Sequence, residues 1–133
     1  YQILKRDGVI YAETSFNQQI HMGAYDFSRF SHVGHRRLFR KFTEIDSGIG
    51  SGPGMALAWA YQYFLLSFST STKMRNVIKL FSRLTAFWLK YFDYFLVNKK
   101  SAIDAAATYY FLGRKAEDGI SDYEVVKTYR GSF

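Results

Sequence analysis

Three side chains that could do chemistry fall within one short stretch: His21, Asp26 and Arg29. An imidazole can take or give a proton near neutrality, a carboxylate can orient a neighbour, and a guanidinium can clamp an anionic group. Together they could line an acceptor pocket, with His21 as general base and Arg29 orienting the acceptor. A structural role competes with this: Asp26 would turn the backbone, Arg29 would pair with it, and His21 would pack. Glu13, a little upstream, could meet a ligand, or could pair with Arg29 or Arg36. His32 and His35 stand three apart at the start of a predicted helix, but no third ligand has compatible spacing, so a metal is not expected. The 133 residues include no Cys, which excludes disulfides, zinc-thiolate sites, iron–sulfur clusters and thiol catalysis.

The elements that must position these groups are read from pattern. Gly8 to Thr14 predicts a strand, because Val9, Ile10 and Tyr11 follow an Asp-Gly turn. The continuous Val-Ile-Tyr-Ala run predicts burial on both faces, as in a parallel sheet. Glu13 then lies at the C-terminal end, which in open α/β sheets borders the ligand crevice. Residues 15–31 lack periodicity and read as a functional loop. A helix opening at Ser31 or His32 would hold Leu38, Phe39 and Phe42 inward and Arg36, Arg37, Arg40 and Lys41 outward. A second short strand is expected at 42–46 and a third at 105–112. Ser121 and Glu124 have the spacing of a capping box, which predicts a short helix in the tail.

Between strands two and three the chain is unusual. Residues 48–54 alternate glycine with other residues and hold the only proline, Pro53. Such a segment before a helix could cradle an anion. No strand ending in an acidic residue follows at the dinucleotide-binding distance, so a hinge into the next helices is the preferred reading. A helix is predicted at 55–68 and a longer one from about 73 to 97, with an inner stripe of Val77, Phe81, Leu84, Trp88, Tyr91 and Phe95. Aromatics reach 20% of the chain. Of the net +7, residues 73–100 carry +6, from seven bases and the single acid Asp93. An acidic partner is therefore expected to meet that stretch. These helices read as ordinary core, as a homo-oligomer interface, or as a surface for an anionic membrane or a lipid-linked substrate. Apolar residues around most of the girth of 73–97 favour an oligomer or partner interface. No DNA- or RNA-binding motif accompanies the charge, and nucleic acid is not expected.

The run from Gly8 through Val-Ile-Tyr-Ala-Glu-Thr-Ser to Phe16, then His21, Tyr25-Asp-Phe-Ser-Arg-Phe30 and His32-Val-Gly-His-Arg-Arg-Leu-Phe39, resembles the C-terminal half of S-adenosylmethionine-dependent methyltransferases of Rossmann-like fold. There a strand ending in an acidic residue is the fifth of seven, and a His and a D-[YF]-x-R-[FY]-[ST] stretch follow before a helix and a short sixth strand. Tyr110 to Lys115, Ser121-Asp122 and Tyr129 to Gly131 are similar to the last strand and tail of those enzymes. Ser15 stands where the family often has Pro.

The resemblance implies a fold class of partial α/β, the C-terminal flank of a Rossmann-like sheet with about three strands. Residues 55–98 would form an aromatic-rich helical insertion within a single domain spanning 1–133. It implies His21 as catalytic residue and Glu13, Phe16, Tyr25, Asp26, Arg29 and Phe30 as substrate-binding residues. S-adenosylmethionine would be the cofactor of the complete enzyme, and none is expected to bind this chain alone, because the half bearing the glycine-rich cofactor loop is missing. The first residues read as folded domain and not as a signal sequence, so the chain is expected to be a fragment of a longer protein. Its partners would be that N-terminal half or a second copy. Its place would be cytoplasmic, with membrane association as the open alternative. A non-catalytic interaction module is the competing reading.

Overall fold

The computed structural model describes residues 3–117 and 119–132. In chain order they form β1 (Val9–Ser15), a 3-10 turn (Gly23–Tyr25), α1 (His32–Leu38), β2 (Phe42–Ser51), α2 (Pro53–Leu66) and α3 (Thr72–Ala86). A 3-10 segment (Phe87–Phe92), α4 (Asp93–Leu96), α5 (Lys100–Ala105), β3 (Thr108–Lys115) and α6 (Asp122–Lys127) follow. The strands make one mixed-class α/β unit with a three-stranded sheet in the order β1-β3-β2, and β3 runs antiparallel to both neighbours.

This corrects the first strand. It is an edge strand in an antiparallel pair, and its burial alternates. Ala12 and Thr14 lie opposite Phe111 and Tyr109, whose rings meet His32, His35 and Phe39 from α1. Val9, Tyr11 and Glu13 point to the other face, and are exposed. An apolar run alone cannot separate one covered face from two, since Tyr and Val tolerate an open face. β2 is longer than expected and takes in Gly48 and Gly50. β3 begins later, because Lys100–Ala105 is a helix.

Ser31 caps α1, its hydroxyl accepting from the Gly34 N–H at 3.2 Å. The helix presents His32, His35 and Arg36 to the core. Two expected positions are therefore exchanged: Arg36 is buried and Leu38 is exposed. The reason is a polar network. Arg36 Nε donates to Glu44 at 2.7 Å, while its terminal nitrogens donate to the carbonyls of Val125 and Thr128 and to the Thr128 hydroxyl. Ser47 donates to the other Glu44 oxygen at 2.6 Å, and Arg130 reaches that same oxygen at 3.0 Å. A fork of donors can satisfy α1, β2 and α6 at once, which no leucine could do. The expected capping box of Ser121 and Glu124 opens α6.

The expected long helix is broken. α3 ends at Ala86, and Phe87–Phe92 tightens into 3-10 geometry before α4. Four of these six residues are aromatic, a type of modest helix propensity. The Leu89 carbonyl also packs directly against Gly54, where a Cβ would collide with it. The glycine segment thus serves as strand end and helix start, with Gly52 at the N-cap and Pro53 in the first turn of α2. The N–H groups of Gly54 and Met55 donate to the Asp93 carboxylate at 2.7 and 3.1 Å.

The interface between α2 and α3 is built from Ala58, Gln62, Ser82 and Ala86, with a Gln62–Ser82 hydrogen bond of 2.8 Å. The expected inner stripe faces the opposite way. Val77, Phe81, Leu84, Trp88, Tyr91 and Phe95 are all exposed. Periodicity located the stripe but could not say which side the chain itself covers. No helix among the described residues is long and apolar enough to cross a membrane.

Candidate functional site

The loop after β1 is held at both ends. The N–H groups of Phe16 and Gln18 donate to the Ala107 carbonyl just before β3, and the Phe30 N–H donates to the Ser15 carbonyl. Arg29 spans the gap: its guanidinium donates to the carbonyls of Phe16 and Gln18 and pairs with Asp26. The same Asp26 oxygen accepts from the His21 backbone N–H at 3.0 Å. His21, Asp26 and Arg29 are therefore brought together, and Asp26 and Arg29 act on the loop itself.

His21 is the member with a ring nitrogen to offer. Ser15 Oγ donates to the Gln18 amide oxygen at 3.1 Å, which turns the amide nitrogen toward His21 Nδ1 at 3.4 Å. A ring whose Nδ1 accepts keeps its proton on Nε2. Such a ring presents Nε2–H as a donor, which suits orienting an acceptor oxygen. Tyr63 of α2 reaches the Ile20 carbonyl at 3.5 Å, so the helical segment touches the loop.

The remaining predicted residues do not share one pocket. Glu13 lies on the open face of the sheet and accepts from the Thr108 hydroxyl at 2.6 Å, not from Arg29 or Arg36. Gly50 sits beneath that pair; a Cβ there would lie 2.5 Å from the Glu13 oxygen. Phe16 is on the opposite face, its ring 5.4 Å from that of Tyr109. Tyr25 packs edge-on against Phe27, and both are exposed. Phe30 lies over Gly34 and lines a cleft with Arg37, Leu38 and Arg40. Sequence reasoning missed Gln18 and Thr108, which hold His21 and Glu13 in place, and nothing in their spacing marks them. It also left Asp93 as a lone acid in a basic run. That isolation was the signal: a single carboxylate among bases meets two backbone donors.

With the geometry in hand, the chain was compared with known proteins. No protein family, curated protein or solved structure matches it.

The glycine segment does not fit an anion-binding cofactor loop. Gly48 is covered by the Tyr110 ring, Gly50 by Glu13 and Thr108, and Gly52 and Gly54 by Asp93 and Leu89. The donors at the N-terminus of α2 are taken by Asp93. Among the described residues no three potential metal ligands cluster.

His32 joins the buried network through Ser47 Oγ, 3.3 Å from its Nε2, and its Nδ1 has no partner among the described residues. Because the Ser47 proton goes to Glu44, the serine oxygen accepts, and His32 carries its proton on Nε2. Burial, then the positive charges of Arg36 and Arg130, lower its pKa from 6.5 to about 4. Burial lowers that of His35 too. The unfolded chain then binds protons that the folded one refuses. Stability is full above pH 6.5 and falls as pH drops from 6.5 toward 4, by about 3 kcal/mol for His32. Glu44 is held below the usual carboxylate range: burial pushes it up, but hydrogen bonds from Ser47 and Arg36 and the charges of Arg36 and Arg130 outweigh that. Its loss comes at lower pH. Denaturant melts should therefore weaken between neutrality and pH 4.5, and His32→Phe should flatten that slope. An unchanged slope would show that His32 takes up its proton equally in the folded and unfolded states.

Proposed function

We propose that this chain is the C-terminal, substrate-side portion of an S-adenosylmethionine-dependent methyltransferase of Rossmann-like fold. The observation that carries the reading is the outer edge of β1, which no strand among the described residues pairs with. The Gly8 carbonyl accepts from Lys115 of β3 and the Phe16 N–H donates to Ala107 just before it, so with a period of two residues 10, 12 and 14 bond to β3. The backbone groups of Val9, Tyr11 and Glu13 consequently point away from the sheet along a regular, bulge-free edge. The other edge is blunted: β2 carries two register shifts, and Arg130 donates to its Ser47 carbonyl at 2.8 Å. If β1 is the fifth strand of the larger sheet, the preceding strands join here, and the His21 loop leaves the end of β1 that borders their crevice.

In this reading the cofactor is held by the preceding half, and it supplies an activated methyl group. Residues of this chain handle the acceptor, an oxygen or nitrogen nucleophile. His21 Nε2–H orients it, Asp26 and Arg29 fix the loop that carries His21, and Tyr63 of α2 closes on Ile20. Rate then comes largely from positioning and exclusion of water, with a base needed only for a protonated acceptor. The test is calorimetric titration with S-adenosylhomocysteine of the polypeptide that joins this chain to the strands preceding β1. One-to-one binding is expected. No heat from a folded polypeptide would sink the assignment.

A further inference from the structure

The helical segment between β2 and β3 is packed inside out. Between α2 and α3 its buried residues are mostly small or polar, with Ser82 and Ala86 facing Ala58 and Gln62 and Leu66 as the large apolar exception. Its large apolar residues face away: Val77, Leu80, Phe81 and Leu84 recur at i, i+3, i+4 and i+7 on the exposed side of α3. The stripe continues past the end of α3, where Trp88 is 52% and Phe95 74% exposed. Small residues between helices and large apolar residues outside are the arrangement of helices whose surroundings are apolar.

Charge decides what covers this face. Lys79 and Arg83 are exposed on α3 one turn apart, outside the stripe, and Lys73 stands at the start of the helix. Lys90 lies over the rings of Phe87 and Tyr91, at 5.8 and 5.1 Å. The only acid of this stretch, Asp93, is turned inward to the N-terminus of α2. A second copy brought to this face would set bases against bases. An anionic surface would neutralise them, while the long Lys and Arg stems lie along the apolar stripe with their heads in the headgroup layer. Trp and Tyr suit that same layer.

We propose that the exposed face of residues 73–97 docks on an anionic lipid bilayer, lying on it without crossing. The assignment is independent of the methyltransferase reading. It is tested by co-sedimentation of the full chain with phosphatidylcholine vesicles, with and without roughly a third phosphatidylserine. Binding is expected on the anionic vesicles, much weaker on the neutral ones, and reduced at least about tenfold when salt rises to about 0.5 M. Lys79→Glu with Arg83→Glu should lower affinity by at least about thirtyfold, each base near such a surface contributing about fivefold. Leu84→Gln with Phe95→Gln should abolish binding while leaving the melting temperature near that of the parent, since both side chains are exposed. Absence of binding to anionic vesicles, equal binding to neutral ones, or undiminished binding by either double variant would overturn the proposal. So would a stable dimer in sedimentation equilibrium that the Leu84 and Phe95 substitutions dissociate, which would make this face an interface between copies.

Discussion

Arg36→Ala is expected to destabilise the protein by about 3–5 kcal/mol, the cost of removing one partner of a buried ion pair. The guanidinium is nearly inaccessible and joins three elements: Glu44 of β2, and the Val125 and Thr128 carbonyls in and just after α6, all from one side chain of α1. Its loss strands the Glu44 oxygen opposite it and takes a donor from the Thr128 and Val125 carbonyls, the latter keeping only the Thr128 hydroxyl at 3.4 Å. Against a typical total of 5–15 kcal/mol this is a large fraction. The melting temperature should fall by roughly 10–20 °C, on the scaling for a domain of this size. Arg36→Lys should recover only part of the loss, because an ammonium on a straight stem cannot reproduce the fork. By contrast Arg37→Ala, whose pair with Asp122 is exposed on both sides, should leave the melting temperature close to that of the parent. A melting point for Arg36→Ala within about 3 °C of the parent would mean the network is not what binds the tail to the sheet.

Tyr11→Pro is expected to leave the isolated chain folded and to abolish S-adenosylhomocysteine binding by the longer polypeptide. The Tyr11 N–H points away from β3, so a proline there breaks no bond of the β1–β3 ladder, and edge positions tolerate proline. The stacked contact of Tyr11 with Tyr110, centroids 6.1 Å apart, is lost as well, at about 0.5–1.5 kcal/mol. Tyr11→Ala removes that ring and keeps the N–H, so it separates the two effects and should retain binding. Ala12→Pro is the opposite control. Its N–H belongs to the ladder, and its removal leaves a carbonyl of β3 unpaired, costing about 1–3 kcal/mol before any ring clash. It should therefore destabilise the isolated chain. If Tyr11→Pro binds as the parent does, no strand pairs at that edge and the proposed junction is wrong.

The legible features were those with a local cause. Ser31 as helix cap, the Ser121–Glu124 capping box and the general positions of β1 and of the helical segment follow from short-range chemistry, and the structure places them there. What failed was the direction each face takes. Arg36 looks like a solvent-facing base among Arg37, Arg40 and Lys41, and only the distant Glu44 and Thr128 draw it inside. The stripe from Val77 to Phe95 has core periodicity, yet Ala58, Gln62, Ser82 and Ala86 allow α2 and α3 to approach on the other side. At the site, the pairing of Asp26 with Arg29 was foreseeable from their spacing, whereas the Gln18 contact that sets the His21 tautomer depends on how the loop folds. Chain order alone also leaves open that β3 inserts between β1 and β2.

Amide hydrogen exchange along β1 bears most directly on the central claim that its edge is a junction. In residues 1–133 alone, the N–H groups of Ile10, Ala12 and Thr14 should be protected, and those of Val9, Tyr11 and Glu13 should exchange rapidly. In the polypeptide that includes the preceding strands, all six should be protected, because a neighbouring strand takes the outward row. Rapid exchange at Val9, Tyr11 and Glu13 in both species would contradict the account, since β1 would then be the true edge of the sheet.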